Sequence, residues 1–356
     1  MPGVYVYAII PTQHELVFEA GGGDNDHDEV YTILKHDLAA VVSSSPLQDY
    51  RGLGRNEAVR YLVAHQRVVE VVMADFPLLP VKFGTVLPDE AWVRRLLEQG
   101  QTLFRNALNS LEGRVQMEVV VLWDLQKILQ EIAQEEPIAR LSAQLANRPA
   151  EDTRDERITI GQRVQDSLER RRVALQSHML SSLREITSDL VTNPPMDDSM
   201  VANTALLVDE AGREALDQRL GLLDKEFDGQ LRLRCVGPLP PYSFATVEVQ
   251  VPSSQEILKA RLQLGLGEAA STVEIRRAYR ELASQLHPDH NSEDPEAEAR
   301  MAALTRAYKL LTNYTENQAT KAEGAIPIIC RFDRETIEQT LLVTIRRQAM
   351  PAPVIL

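Results

Sequence analysis

The 356-residue chain has little of what most enzymes, membrane proteins and nucleic-acid binders require. It holds two cysteines, Cys235 and Cys330, each inside an apolar, strand-like run. They read as buried, reduced thiols. No apolar run approaches the length that spans a bilayer, so no lipid-membrane partner is expected. No charged stretch followed by an apolar one lies near Met1, so no secretion signal is expected either. Basic residues are in deficit: 38 Lys and Arg face 52 Asp and Glu, a net charge of −14. Phosphate binding needs a concentrated basic surface, which excludes nucleic acid as the main partner. These absences describe a soluble cytoplasmic protein long enough for two ordinary domains with real cores.

Catalytic signatures are missing too. No Walker A loop occurs, and Gly52-Leu53-Gly54 lacks the third glycine and the helix context of a dinucleotide site. No Gly-x-Ser-x-Gly elbow occurs. Asp24-Asn25-Asp26-His27-Asp28-Glu29 is rich in oxygen ligands, but the twelfth position of a calcium loop would be Lys35, so a solvated acidic loop is expected. His287 and His290 with Asp289 lack a third and fourth ligand at fixed spacing. His65 falls on the apolar side of its helix and reads as a satisfied core histidine. No catalytic residue, metal ligand or cofactor site is therefore expected, and the chain does not read as an enzyme.

What the chain does contain is most distinctive between Val273 and Tyr314. Ile275, Ala278, Tyr279, Leu282 and Leu286 follow the spacing of one helix face. Met301, Leu304, Ala307, Tyr308 and Leu311 do the same. Between them stands His287-Pro288-Asp289, where Pro288 cannot continue the first helix. This segment resembles the J-domain of Hsp70 co-chaperones, whose helices II and III flank a His-Pro-Asp loop. The resemblance implies that His287, Pro288 and Asp289 contact an Hsp70 and stimulate its ATPase, with Arg276, Arg277 and Arg280 as the docking charges. Glu281, Ser284 and Gln285 dilute that basic face, and His290 stands where working J-domains usually carry Lys or Arg. A weak, salt-sensitive interaction is expected, with the helices serving mainly as a packing module.

A second resemblance covers the chain from about Met1 to Val251. It is carried by the strand Val4 to Ile10, by His65, and by three later elements: Leu78-Leu79-Pro80-Val81-Lys82-Phe83-Gly84-Thr85-Val86, in which Leu79 to Val86 reads as one apolar strand, then Val119 to Asp124, then Gly237-Pro238-Leu239-Pro240-Pro241-Tyr242-Ser243-Phe244. Together these resemble the gas vesicle protein F/L family, with Lys82 where the family typically has Arg. The motif residues are Leu79, Pro80, Val81, Phe83, Gly84, Gly237, Pro238, Pro241, Tyr242 and Phe244. The resemblance implies a modified ferredoxin-like second domain and a place at the gas vesicle. It also implies an assembly-factor role, with the small apolar main shell protein and other gas vesicle proteins as partners. Hsp70 is a further partner if the J-like helices are active, and the alternative is an Hsp70 co-chaperone with another client.

Strands alternating with helices predict an α+β protein. Residues 1–124 read as an N-terminal α+β domain, 125–192 as a helical connector, and 193–356 as a C-terminal ferredoxin-like domain containing the J-like segment 254–319. The connector is expected to hold one long helix from Ile158 to Leu190. Its stripe of Val164, Leu168, Leu175, Met179, Leu183, Ile186 and Leu190 is close to a coiled-coil seam but is expected to pack in cis. Pro194-Pro195 marks the expected domain boundary.

Overall fold

The computed structural model describes residues 2–22, 28–46, 50–146, 148–149, 151–286, 296–319 and 329–347. The acidic loop at 24–27 and the His287-Pro288-Asp289 triplet lie outside them, as does His290.

The first strand, β1 (Pro2–Pro11), has an apolar run without alternation because it is buried on both faces. It is followed by β2 (Val17–Gly22), which the hydrophobic pattern does not reveal, and by β3 (Asp28–Lys35) and β4 (Leu38–Pro46). Helix α1 (Arg55–Met73) buries Tyr61, His65, Val68, Val69 and Val72, one face of a 3.6-residue period. The motif expected as one strand from Leu79 to Val86 is instead two short ones, β5 (Leu79–Pro80) and β6 (Val86–Leu87), both paired with β1. Pro80 and the turn at Gly84 account for the break. The sheet order is β2-β3-β4-β1-β5, all antiparallel, with β6 also on β1. Helix α2 (Glu90–Leu111) follows, its buried side formed by Val93, Leu96, Leu97, Phe104 and Leu108.

The next stretch departs from the expected boundaries. Strand β7 (Arg114–Trp123) lies between β9 (Met200–Asp209) and β10 (Leu231–Leu239), and β8 (Asp189–Asn193) pairs the far side of β9. The order is β10-β7-β9-β8. Between β7 and β8 run α3 (Leu125–Ala133), α4 (Glu136–Leu145) and α5 (Arg154–Arg184), and between β9 and β10 runs α6 (Arg213–Glu226). This is a β-α-β-β-α-β path with its fourth strand beside the first, the ferredoxin-like arrangement. It spans residues 111–244, so β7 opens this domain rather than closing the one before it. Helices α3 to α5 are its first crossover and not a connector. Helix α5 ends at Arg184, not Leu190. Leu190 pairs with Leu206 in the sheet, and Ile186 and Leu190 pack against the same core as the rest of the stripe. The stripe does find its partner in cis: Leu168, Met179 and Leu183 bury against Met117, Val119, Val121 and Trp123 of β7.

The short helix α7 (Tyr242–Ala245) leads to β11 (Thr246–Gln250). Then come α8 (Ser254–Gln263), β12 (Ala269–Ser271), α9 (Thr272–Gln285), α10 (Ala297–Ala319), β13 (Ile329–Arg331), α11 (Arg334–Glu338) and β14 (Leu342–Arg346). A capping box between Ser271 and Glu274 starts α9. Helices α8, α9 and α10 share a core of Ile257, Ile275, Leu304, Leu311 and Tyr314, completed by Cys330, Phe332 and Ile337. Tyr279 stacks on Tyr308 with ring centroids 4.2 Å apart. The helices were expected inside the ferredoxin-like domain. They emerge instead between β11 and β14, which pair with each other from Thr246–Arg346 to Gln250–Leu342 and belong with the N-terminal sheet.

The cysteines part company. Cys330 is fully buried, and burial pushes its thiol up to about 11. Cys235 is exposed on β10, contrary to expectation, because this strand is the edge of its sheet. A maleimide is expected to modify Cys235 in the native protein and Cys330 only after denaturation, read by mass spectrometry of the digested adducts. Rapid native labelling of both would contradict this packing.

Candidate functional site

The motif residues near the N-terminus surround an aromatic cluster. Tyr5 and Tyr7 alternate with apolar neighbours on β1, and their rings lie 4.7 Å apart. Tyr50 meets Tyr5, Tyr61 and Phe83 edge-on at 5.5, 5.3 and 5.6 Å. His65 reaches in from α1, 5.8 Å from Phe83. Each buried polar tip has a partner. The Tyr7 hydroxyl is 2.9 Å from Ser43 Oγ, and that of Tyr50 is 3.1 Å from Ser45 Oγ. The Gly84 amide donates to the Tyr5 oxygen at 2.9 Å, which leaves the tyrosine proton for His65 Nδ1 at 3.0 Å.

Leu79, Pro80 and Val81 are buried beside β1, where the Val81 amide donates to the Tyr7 carbonyl at 2.9 Å. Phe83 and Gly84 then turn over the cluster. Gly84 has φ +78°, and a Cβ there would stand 3.0 Å from Tyr50 Cβ. His65 is the satisfied core histidine its sequence position suggested. Burial lowers its pKa to about 3, against a weaker opposing hydrogen bond at the Val81 backbone. It is neutral at any physiological pH, which suits a packing role better than proton transfer.

Gly237, Pro238, Pro241, Tyr242 and Phe244 form a separate turn at the end of β10. Gly237 has φ +147°, and a Cβ would lie 2.6 Å from Met117 Sδ and 2.9 Å from the Gln116 carbonyl oxygen. Only glycine lets the chain pass so close to β7. The Phe244 amide donates to the Pro241 carbonyl at 3.0 Å, and the Ser243 amide to Gln116 Oε1 at 3.0 Å. Of the expected Hsp70-contact residues, Arg276, Arg277 and Arg280 are all exposed on α9. Arg277 is engaged by Glu281 at 2.8 Å, which weakens the basic face as the sequence implied. Among the described residues, no group of three His, Cys, Asp or Glu side chains could hold a metal ion.

What sequence reasoning missed is the role of Lys82. Its ammonium lies 2.8 Å from the carboxylate of Glu248 on β11, which is also 2.6 Å from Arg346 Nε on β14. The Arg346 approach is too oblique for a hydrogen bond to Oε2 but lies well within ion-pair range. Glu248 is 3% exposed as a side chain, so neither cation can be lost without leaving a poorly solvated charge. The partner is 166 residues away in sequence, and no local pattern announces it.

Two outcomes are expected. Because the folded pKa of His65 lies below its ordinary value of 6.5, the unfolded chain takes up the proton first as pH falls. Stability contributed by neutral His65 is complete above about pH 6.5 and declines toward pH 3, by up to ~1.4 kcal/mol per pH unit. Urea denaturation at pH 7, 6 and 5 measures it, and His65→Leu is expected to flatten the profile relative to the parent chain. Gly237→Ala is expected to cost ~1–3 kcal/mol from steric overlap and strained backbone. An unchanged urea midpoint would refute the close approach to Met117.

Comparison with known proteins places these elements. The family described as gas vesicle synthesis protein GvpL/GvpF matches residues 3–246, and the DnaJ domain family matches residues 263–319. Gas vesicle protein F of Streptomyces sp. (strain CB03234) is 28% identical over 243 residues, covering 67% of this chain and 98% of the relative. Gas vesicle protein L of the same organism is 30% identical over 268 residues, covering 71% and 96%. The crystal structure of GvpF from Anabaena sp. PCC7120 superposes with a TM-score of 0.58 at 25% identity, covering 68% of this chain and 98% of that one. That of GvpF from Microcystis aeruginosa gives 0.53 at 26% identity, with the same coverage. The first family match ends at the first residue of β11, where the relatives are nearly exhausted and the ladder carrying the helical module begins. The chain therefore belongs to the gas vesicle synthesis protein GvpL/GvpF family, and carries a DnaJ domain beyond the part that this family covers.

Proposed function

We propose that this protein is an accessory and minor structural protein of the gas vesicle. It binds the small, apolar main shell subunit and assists vesicle nucleation and assembly. The observation that carries the reading is that one chain joins a GvpL/GvpF fold to a DnaJ domain, a gas vesicle protein to a chaperone-recruiting module. A newly made apolar subunit exposes unpaired strand edges and aggregation-prone surface. A protein that covers such surfaces needs binding faces rather than catalytic groups, and the strongly perturbed histidine here is locked in packing. The reading is of a protein that works by binding, without turnover.

A second reading, an Hsp70 co-chaperone with another client, is favoured by the DnaJ match and by Arg276 and Arg280 standing exposed on α9. Excision separates the two. Gln250 and Leu342 are direct ladder partners, so residues 251–341 can be replaced by an Asn-Gly turn that suits a two-residue hairpin. The excised protein is expected to retain the shell subunit in a pull-down and to support vesicles at reduced yield, while losing any stimulation of an Hsp70 ATPase. No association of the full chain with the subunit, together with normal vesicles in a deletion strain, would sink the assembly reading. Strong ATPase stimulation by the full chain that vanishes in His287→Gln would instead establish an active co-chaperone.

A further inference from the structure

We infer that the DnaJ module is a fixed arm, its direction set by an electrostatic clamp of three chain segments centred on Glu248. The module leaves the sheet at β11 and returns at β14, so both of its ends are held. Strand β11 is in turn fastened to the motif segment beside β1. Val81 and Val247 form a parallel bridge, and the Lys82 amide donates to the Val247 carbonyl at 2.9 Å. On the side-chain level one carboxylate gathers all three segments. Lys82 from the motif segment and Arg346 from β14 converge on Glu248 of β11. A further tie fixes the return path, where Gln99 Oε1 on α2 accepts from the Leu341 amide at 3.0 Å. Gln99 is itself buried.

A module joined by a flexible linker would show none of this. Here each segment of the junction contributes backbone pairing and a charge, and the charges meet on a buried carboxylate, with Lys82 and Arg346 each about half-exposed, so the pairs are only partly screened. Removing the Glu248 charge leaves Lys82 and Arg346 facing one another across the junction. The clamp thus works in one direction only: intact it holds the strands together, and broken it pushes them apart. The arm presents α9, with Arg276 and Arg280, at one place relative to the N-terminal sheet. Within the proposed function, and resting on it, an Hsp70 engaged by α9 would meet a bound subunit from a single side.

Electron spin–spin distances test the arm without reference to that function. Labels are placed at Arg67→Cys on α1 and Ser284→Cys on α9, both exposed, in a full-length chain with Cys235→Ser and buried Cys330 retained. The expected result is one narrow distance distribution for the parent, kept in Lys82→Arg and broadened at least twofold in Glu248→Gln. If Glu248→Gln does not fold by circular dichroism, Lys82→Met, altered at a half-exposed side chain, is expected to broaden the distribution in its place. A parent distribution already broad, or a folded charge-deletion variant as narrow as the parent, would overturn the inference. Either failure leaves the pull-down with the shell subunit untouched, so the two readings fall separately.

Discussion

Five residue pairs, from Thr246–Arg346 to Gln250–Leu342, decide how one fold can sit inside another. The chain leaves and re-enters at neighbouring backbone positions. A disordered loop on the order of 90 residues would add roughly 4 kcal/mol of closure entropy in its logarithmic term. The DnaJ helices avoid most of that, because their own core of Ile275, Leu304, Leu311 and Phe332 already brings their ends together. Strands β12 and β13 close the module a second time at Ala269–Arg331. The ladder therefore has to register two preformed ends rather than gather a loose chain. Glu248 then makes the register charge-specific, since a slip by one residue would turn its carboxylate to the other face of the strand and away from Lys82 and Arg346.

Local pattern and long-range pairing explain what the sequence did and did not disclose. Helices α3 and α11 have the ends that their periodicity and flanks imply, because an Asp124 or Asp333 cap is a local event. The end of α5 was misread for an equally physical reason. Ile186 and Leu190 extend the apolar stripe, but they face the same core from a loop and a strand. Apolar spacing reports which residues are buried and not the element that buries them. Strand β2 stayed hidden because Phe18 and Val17 are followed by Glu19, Ala20 and glycines, a poor strand composition held by its pairing with β3.

The domain boundary is the larger lesson. Trp123-Asp124 closes a run of strands and helices that reads as a finished unit, and Pro194-Pro195 reads as a linker. Yet β7 is the strand on which the second sheet is built, with β9 along its full length on one side and β10 on the other. Nothing in β7 itself says which sheet it joins. The β-α-β-β-α-β order is visible only once the three helices before β8 are counted as a crossover. The candidate site shows the same split. The motif residues were legible by resemblance, and Gly84 and Gly237 have the conformations that exclude side chains. The Tyr5–His65 contact and the Lys82–Glu248 pair, spanning 60 and 166 residues, were not legible.

An inserted strand pair also alters the edge it joins. Strand β11 meets the motif segment through Val81–Val247, and Val247, Leu342 and Val343 are buried. Had the chain ended with β11, that strand would have carried a free line of amides and carbonyls on its outer side, the geometry that templates edge-to-edge association. Strand β14 satisfies that line, and it ends in Arg346, whose guanidinium pairs with Glu248. The return strand is thus both anchor and cover. A module added at this junction must bring such a strand with it, and the dependence runs in one direction: the DnaJ helices need β14 to be held, whereas the strands need only a turn between Gln250 and Leu342 to stay paired.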